Sequence, residues 1–348
     1  MKNILLIFFP ALLFSQIPDY YEGINFKQNG SKVKEELHDL INATHHSINY
    51  TPGVWNILNK SDLVPGSKNK VLMIYGFSDS SKKFSEQRTR DINKKNQGKQ
   101  NESPNGKWER EHVFPKSLAV PKLDTSHPGT GTDAHNLRAV DRQINATRNN
   151  NPYREKSAID KDGKAKLNNG AFYPGDEWTG DVARIVMYMY LHYGLETDPQ
   201  KVAYNKATTN KDKMPTMFLK WNAQDKVSEF EKVRNEVIAA KQGSRNPFID
   251  NPYLATIIWG GEKAQNTWKE LEKSNSNNNL KVSYDSKTNK INILAQNFKK
   301  VNLYTINGQL LKQYVTKTID LKNYSNKAFI LAIELKDGTI VTRKITKK

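Results

Sequence analysis

Cysteine is absent from all 348 residues of the chain. Its absence excludes disulfides, zinc–thiolate sites and thiol nucleophiles, so stability must come from other sources, namely packing, hydrogen bonds or a bound metal. Long apolar runs are also scarce, and the run at residues 4–14 is too short to cross a bilayer. No later segment is both apolar and long enough, and we therefore predict no stable membrane span.

The amino terminus has the pattern of a secretory signal. Lys2 precedes the apolar run, Pro10 interrupts it, and the small residue Ser15 follows it. We predict a signal peptide over residues 1–15 and, from residue 16, an exported soluble chain that is a monomer.

Acidic residues are outnumbered. The sequence contains 54 Lys and Arg against 36 Asp and Glu, which gives a formal net charge of +18. Such an excess favours a polyanionic partner, namely nucleic acid, anionic lipid or acidic polysaccharide. A well-solvated basic surface would show the same charge, so the choice between these readings depends on motifs.

The most informative motif is WEREHVFP at residues 108–115. It alternates as a strand does, and Pro115 ends it. On a regular strand Glu109 and Glu111 share one face, while His112 lies on the other. Glu111 and His112 can therefore serve one site only where the pleat breaks, at a strand end or a bulge. Because regular alternation conflicts with Glu111 and His112 serving one site, Glu109 remains an alternative metal ligand.

A second polar block, DAHNLR at residues 133–138, is followed by a segment that we predict as a helix over about residues 141–149. Asn145 and Asn149 stand four residues apart on one face of that helix, and Arg148 lies beside them. Asparagine is a mediocre helix former, so its density here indicates a function.

Together these blocks contain the groups that hydrolysis of a phosphodiester with one metal ion requires. A carboxylate and an amide oxygen suit a hard divalent cation such as Mg²⁺, with Mn²⁺ and Ca²⁺ as alternatives. A histidine can take a proton from water near neutral pH, and arginines can neutralise phosphate charge. A Glu–His pair alone is common on protein surfaces, and its combination with the Asn- and Arg-rich helix carries the inference.

Hydrophobic periodicity elsewhere predicts packing elements. We expect helices over residues 31–43, 181–193 and 225–240, a buried strand over residues 71–75, and a turn-rich, non-helical segment over residues 244–253. Within these elements Ser31 is the expected helix cap, Gly194 ends the second helix, and Val233 is expected to face inward. His45 and His46 lie in a polar loop, where a histidine pair is usually solvated, and His192 is expected to be a satisfied core group.

Composition changes at the polar tract of residues 274–279, which we interpret as a linker. Beyond it, short alternating runs with turn signals at Asn307-Gly308, of type I′, and at Asp337-Gly338 predict two hairpins in a small β-sandwich. We therefore predict an α+β chain, with a mainly helical core over residues 16–273 and an all-β, non-catalytic domain over residues 280–348.

The blocks at residues 108–113, 133–150, 180–184 and 225–260 occur in the order found in the bacterial endonuclease I family, which the chain resembles over about residues 19–261. The resemblance implies a ββα-metal (His-Asn) finger inside the helical core. It also implies a metal-dependent endonuclease that hydrolyses DNA, and often RNA, with little sequence preference and leaves 5′-phosphates.

The resemblance assigns roles to matching residues. His112 is the general base, Glu111 and Asn145 coordinate the metal, and Arg148 meets phosphate. The resemblance also implies that Asp133, His135 and Asn136 support the finger. From the residues themselves we expect Glu109 to support it as well. The residues that we expect to contact nucleic acid are Lys116, Arg138, Arg142 and Arg245.

The chain departs from relatives that have disulfides and from relatives that carry a phosphate-clamping arginine in the loop after the Glu–His pair. Between Val113 and Leu137 the sequence has Lys116, Lys122 and His127 but no arginine. A lysine, or an arginine of the following strand and helix, must take that role if it is filled at all.

Residues 280–348 resemble the C-terminal sorting domain of bacterial type IX secretion substrates, through Asn307-Gly308-Gln309 and the Lys-rich final strand. This likeness implies the secretion machinery as a partner and an extracellular or cell-surface location in a Gram-negative bacterium. Two alternatives stay open: a basic nucleic-acid-binding or adhesive surface protein without catalysis, and a metal-dependent hydrolase of other phosphoesters.

Overall fold

The computed structural model describes residues 16–98, 103–210, 212–268, 271, 280–295, 298–336 and 340–347. The chain divides into two compact units. The larger comprises residues 19–24 and 29–267, and the smaller contains residues 25–28 and the chain from Trp268 onward. The predicted signal peptide and linker lie outside the described residues, so those domain boundaries stay predictions.

The larger unit is mainly helical, as predicted. Its described α-helices are α1 Gly30–Thr44, α2 Trp55–Ser61, α3 Arg142–Arg148, α4 Thr179–Tyr193, α5 Thr216–Gln224, α6 Glu229–Gln242, α7 Pro247–Asp250 and α8 Tyr253–Trp259. Its strands form antiparallel pairs, β1 Lys70–Leu72 with β2 Thr89–Asp91, β3 Trp108–His112 with β4 Leu137–Asp141, and β5 Lys166–Asn168 with β6 Ala171–Tyr173. Among the described helices we find none with the length and apolar character of a membrane span.

The helices predicted over residues 31–43 and 181–193 are confirmed as α1 and α4. Asn29, and not Ser31, caps α1, because its side chain accepts a hydrogen bond from a backbone N–H in the first turn. Gly194 follows α4 with φ 56°, a left-handed conformation that glycine adopts without a steric penalty.

α6 begins at Glu229 and not at Asp225, because Ser228 caps it and accepts a hydrogen bond from the backbone N–H of Glu231. The inward position predicted for Val233 is wrong, since this residue is 54% exposed. Polar residues take the inward positions instead, which a hydrophobic pattern cannot detect. The buried face of α6 contains Phe230, Glu231, Arg234, Asn235, Ile238 and Gln242.

The non-helical prediction for residues 244–253 is wrong in part. Asn246 caps the short helix α7, and its side-chain oxygen accepts the backbone N–H of Phe248 at 3.0 Å. Pro247 occupies the first helical position, where its missing N–H has no intrahelical partner to lose. Pro247 and Pro252 thus each stand at the start of a helix, α7 and α8 respectively.

The predicted strand over residues 71–75 is shorter than expected. β1 ends at Leu72, although the following residues remain buried. Ile74 forms an isolated bridge to Val140 of β4, and Tyr75 has φ 71°, so the chain turns out of the strand at this point. This turn brings the Tyr75 hydroxyl to Glu111 on β3.

The strand pair β3–β4 and the helix α3 form one continuous unit. β3 pairs with β4 in regular register, from Trp108 opposite Asp141 to His112 opposite Leu137. Asp141 then caps α3. Its side-chain oxygen accepts hydrogen bonds from the backbone N–H groups of Gln143 and Ile144, at 2.8 and 3.3 Å. The helix predicted over residues 141–149 is confirmed, and it ends where Asn149 adopts φ 51°.

The smaller unit is all-β, as predicted. Its described strands are β7 Lys281–Asp285, β8 Lys290–Leu294, β9 Phe298–Thr305, β10 Leu310–Tyr314, β11 Thr318–Asp320, β12 Ala328–Leu335 and β13 Ile340–Thr346. They form a four-stranded sheet in the order β10-β9-β12-β13 and a three-stranded sheet in the order β11-β8-β7. Both sheets contribute to one apolar core, which gives the predicted sandwich.

Both predicted hairpins are present. β9 and β10 flank Asn307-Gly308, but the turn is not type I′, because that type needs positive φ at both central residues and only Gly308 of this pair has one, 85°. β12 and β13 pair from Ala328 opposite Thr346 to Glu334 opposite Ile340. Their turn, with Asp337-Gly338, lies outside the described residues.

Candidate active site

A cavity of about 520 Å³ opens beside β3 and α3. It brings together the residues predicted for base, metal and phosphate roles. The predicted residues that line it are Glu109, Glu111, His112, Lys116, Arg142, Asn145 and Arg148. The predicted residues that do not line it are Asp133, His135, Asn136, Arg138 and Arg245.

The position of His112 at the last residue of β3 accounts for the Glu–His pair serving one cavity. Glu111 contacts Arg148 of α3, whereas the His112 ring stacks on Tyr50, with ring centroids 5.8 Å apart. The two side chains therefore leave the strand on opposite faces, as alternation predicts. Because pairing with β4 is regular, the strand end and not a bulge lets both reach the cavity.

Glu111 is a buried carboxylate with few partners. The Tyr75 hydroxyl donates to its Oε1 at 2.9 Å, and Nε of Arg148 lies 3.5 Å from the same atom. Burial raises the pKa of Glu111 to about 7, even though Arg148 and the Tyr75 hydrogen bond act in the opposite direction. An added cation would therefore stabilise the charged form.

Arg148 is fully buried and braces the chain as well as lining the cavity. Its Nη2 donates to the Val113 carbonyl at 2.9 Å, and its Nη1 donates to the Asn149 carbonyl at 2.8 Å. The guanidinium also lies over the Tyr153 ring, 4.6 Å from its centroid. This side chain ties the end of α3 to the residue that follows His112.

The tautomer of His112 follows from its contact with Gly131. Its Nε2 lies 2.8 Å from the Gly131 carbonyl oxygen, which can only accept a hydrogen bond. Nε2 therefore carries the proton, and Nδ1 has the free lone pair. Burial lowers the pKa of His112 to about 4, and the positive charges of Lys116, Arg110 and Arg148 add to this effect. The ring is neutral at pH 7 and can accept a proton at Nδ1.

Asn145 projects from α3 toward Glu109. Its Nδ2 donates to Oε1 of Glu109 at 2.6 Å, which leaves its carbonyl oxygen as the atom that could bind a cation. Glu111 and Asn145 thus offer a carboxylate oxygen and an amide oxygen, which are donors of the kind that Mg²⁺ prefers.

Asn136 holds the chain just after His112. Its side chain forms two hydrogen bonds with the backbone of Phe114, accepting from the N–H at 2.7 Å and donating to the carbonyl at 3.1 Å. Its own carbonyl accepts the Val113 N–H at 3.0 Å. These three bonds fix the exit of β3, which is the geometry a supporting residue requires.

Asp133 and His135 lie in the buried segment that immediately precedes β4. Asp133 accepts hydrogen bonds from the backbone N–H of His135 and from the side chains of Gln242, Tyr188 and Tyr193, at 2.7 to 3.0 Å. Burial alone would raise the pKa of Asp133, but the hydrogen bond from His192 and the nearby histidines hold it well below its usual range. His135 Nε2 lies 3.0 Å from the Ser244 carbonyl oxygen.

His45, Asp133 and His192 bring potential ligand atoms within 4.8 Å of one another. Sequence reasoning did not connect them, because they lie in three separated segments. The donors already bonded to Asp133 account for its charge without a cation.

Arg138 and Arg245 are engaged elsewhere. Arg138 is buried between Asp62 and Asp181, with N···O distances of 3.4 and 3.0 Å. Arg245 pairs with two carboxylates of its own neighbourhood, at 2.6 and 2.7 Å. The expectation that these two arginines face phosphate has no support in this arrangement, because their charges are already compensated away from the cavity.

Three residues of the site were missed from the sequence: Arg110, which lines the cavity, and Tyr75 and Gly131, which contact side chains that line it. Arg110 lines the cavity, donates to the Tyr50 carbonyl and lies 3.3 Å from the centroid of the Tyr50 ring. Strand alternation places Arg110 on the same face of β3 as His112, and this was the available signal. Tyr75 and Gly131 gave no signal, because they lie far in sequence from the residues they contact.

Comparison with known proteins identifies relatives over most of the chain. The sequence model of the Endonuclease I family matches residues 29–253, a span that includes every cavity residue. The chain is 35% identical over 263 residues to the extracellular ribonuclease of Bacillus subtilis (strain 168), covering 72% of this chain and 81% of that protein. It is 35% identical over 256 residues to the extracellular ribonuclease of Bacillus amyloliquefaciens, covering 69% and 78%. It is 27% identical over 135 residues to Endonuclease-1 of Buchnera aphidicola subsp. Baizongia pistaciae (strain Bp), covering 36% and 49%.

Proposed function

Since the chain belongs to the endonuclease I family and is a nuclease, we propose that it is a secreted, metal-dependent endonuclease that cuts DNA and RNA with little sequence preference. The convergence of Glu111, His112 and Asn145 on one cavity carries this proposal. The two relatives named extracellular ribonuclease support RNA as a substrate and an extracellular place of action.

The donor set fits a hard divalent cation. Glu111 and Asn145 supply a carboxylate and an amide oxygen, and the unit β3–β4–α3 that carries them would be the ββα-metal finger. The raised pKa of Glu111 indicates a buried carboxylate whose charge lacks full compensation. When bound, Mg²⁺, Mn²⁺ or Ca²⁺ would neutralise phosphate charge and stabilise the leaving oxygen.

In this proposal His112 activates the attacking water. Nδ1 of His112 takes the proton from water as the water oxygen attacks phosphorus. Donation from Nε2 to the Gly131 carbonyl keeps the ring in the required tautomer and orientation. The bond from phosphorus to the 3′ oxygen breaks, and this oxygen takes a proton from solvent, which leaves a 5′-phosphate and a 3′-hydroxyl.

Basic residues around the cavity would bind the substrate backbone. Lys116 and Arg142 are the predicted contacts that line it, and Arg110 and Lys122 add positive charge there. Arg148 also lines the cavity, but two of its guanidinium nitrogens already donate hydrogen bonds to backbone carbonyls. Contacts with phosphate carry no sequence information, which explains cleavage with little sequence preference.

The test compares cleavage with binding. The protein is incubated with plasmid DNA or single-stranded RNA in Mg²⁺, with and without EDTA, and binding is measured by gel shift in EDTA. We expect both substrates to be cut in Mg²⁺, cleavage to stop in EDTA, and binding to persist. Ligation of the products would check the 5′-phosphate. Binding without cleavage in Mg²⁺ or Mn²⁺ would favour the adhesive or nucleic-acid-binding alternative and overturn the proposal.

We also propose that the β-sandwich at residues 280–348 directs secretion through the type IX machinery of a Gram-negative bacterium, and that the enzyme works as a monomer. The sandwich has its own apolar core, which supports a function separable from cleavage. Deleting residues 280–348 should abolish export and leave cleavage by the purified protein unchanged. Loss of cleavage with intact export would contradict this role.

A further inference from the structure

Glu109 forms a short hydrogen bond with Asn145, the proposed metal ligand, and no catalytic role assigned so far accounts for this contact. Oε1 of Glu109 accepts a hydrogen bond of 2.6 Å from Nδ2 of Asn145. Glu109 lies on the same face of β3 as Glu111, two residues away, and both side chains are directed at α3. The contact therefore joins the strand and the helix within the cavity.

The chemistry of this pair fixes the orientation of the amide. An ionised carboxylate has acceptors only, whereas an amide has a donor end and an acceptor end. If the Asn145 amide were rotated by half a turn, its oxygen would face a carboxylate oxygen at hydrogen-bond distance, and the two would repel. Glu109 thus holds the amide nitrogen, and the amide oxygen is left for a different partner.

Glu109 is itself held in place. Its Oε2 accepts a hydrogen bond of 2.8 Å from Nδ2 of Asn96, and Nε of Arg142 lies 3.4 Å from the same oxygen. Its side chain is 19% exposed, and its backbone pairs with Val140 of β4. A carboxylate fixed by two neighbours and the sheet can impose its geometry on Asn145.

We infer that Glu109 is a positioning residue, which orients the Asn145 amide so that its oxygen faces the bound divalent cation. This inference rests on the proposed function, in which Asn145 is a metal ligand. Under this inference Glu109 binds the metal ligand Asn145 and does not itself coordinate the cation. It therefore differs from the alternative left open by strand alternation, in which Glu109 is a metal ligand. Partners of this kind commonly tune the affinity of a metal site.

The experiment measures Mn²⁺ binding to the metal-free full chain by electron paramagnetic resonance, without nucleic acid. Glu109→Ala should weaken Mn²⁺ binding by about 10- to 100-fold, the usual effect of removing a partner of a metal ligand. Glu109→Gln should weaken it less, because its amide oxygen can still accept from Asn145. Glu155→Ala removes an equal charge from a residue outside the cavity and should leave Mn²⁺ binding unchanged.

The decisive variant is Asn145→Asp, since a carboxylate presents an oxygen in either orientation. In that background Glu109→Ala should not weaken Mn²⁺ binding, because no amide remains to be oriented and the substitution removes the repulsion between two adjacent carboxylates. Equal weakening in both backgrounds would show that Glu109 acts as a ligand or as a nearby charge, and would overturn the inference.

The remaining outcomes separate this inference from the proposed function. If the wild type binds Mn²⁺, Asn145→Ala abolishes binding, and Glu109→Ala binds as the wild type does, the inference is wrong and the metal site stands. If the wild type binds no Mn²⁺, both are wrong. Thermal unfolding of each metal-free variant checks folding, and Glu109→Gln, which keeps the side-chain shape, serves if Glu109→Ala does not fold.

Discussion

The Nε2 atom of His112 lies 2.8 Å from the carbonyl oxygen of Gly131, a residue nineteen positions later in the sequence. This contact decides which ring nitrogen carries the proton, and it leaves Nδ1 as the basic atom. The pKa of His112, lowered by burial to about 4, keeps that atom unprotonated at neutral pH. Any change to either partner should therefore affect catalysis more than binding.

Replacing His112 by Ala should slow cleavage of DNA by about 10²- to 10⁴-fold, the usual contribution of a general base. Binding to DNA in EDTA should not change, because the phosphate contacts are other residues. His127→Ala is the matched control, since His127 is exposed on the same loop and pairs with Asp124. Equal cleavage by the wild type and His112→Ala would remove His112 from the mechanism.

Gly131 should be intolerant of a side chain although it needs no contact with substrate. A Cβ at Gly131 would lie 1.9 Å from the Asp124 carbonyl oxygen, so the loop would have to move and carry the partner of His112 with it. We expect Gly131→Ala to lower kcat by about 10²-fold, as a misplacement of about 1 Å can do. Gly129→Ala is the control, because its Cβ would meet no atom within 4 Å. Similar kcat values for the two variants would contradict the role of this contact.

Glu111 should make the stability of the metal-free protein depend on pH. Its pKa is raised by burial to about 7 from an ordinary value of 4.5, so between these values the folded state binds more protons than the unfolded state. Its contribution to the free energy of unfolding is full below about pH 4.5 and is lost as the pH rises through about 7.

Glu111→Gln removes this titration. Urea unfolding in EDTA across that pH range should show the stability of the wild type falling relative to Glu111→Gln by about 3 kcal/mol, at about 1.4 kcal/mol for each pKa unit. Added Mg²⁺ should reduce the difference at the higher pH, because it binds the charged form. Parallel profiles for the two proteins in EDTA would mean that burial does not raise the pKa of the Glu111 carboxylate.

Asn136→Ala should destabilise the larger unit by leaving the buried N–H and carbonyl of Phe114 without their partners. Each unsatisfied group costs about 1–3 kcal/mol. Asn136→Asp keeps the acceptor but buries a charge and sets an oxygen against the Phe114 carbonyl, so it should destabilise the unit at least as much. Urea unfolding followed by tryptophan fluorescence measures both. A change below about 1 kcal/mol for Asn136→Ala would show that Asn136 does not hold the exit of β3.

Local sequence was sufficient for the elements whose signals are themselves local. The helix α3 was predicted within one residue at each end, because Asp141 caps it and the run of polar residues has helical spacing. Alternation along β3 placed Glu109 and Glu111 on one face correctly, and the two hairpins followed from turn residues. By contrast, residues 244–253 were misread, because proline starts a helix as readily as it ends one.

The sequence by itself determined which chemical groups are present, since a Glu–His pair, an Asn-rich helix and an excess of lysine and arginine are visible without coordinates. It could not determine which charges remain available. Arg138 and Arg148 look alike in sequence, yet one is neutralised by Asp62 and Asp181 in the core and the other lies at the cavity against Glu111. That choice depends on partners tens of residues away, and only the tertiary structure brings them within the few ångströms over which charges and hydrogen bonds act.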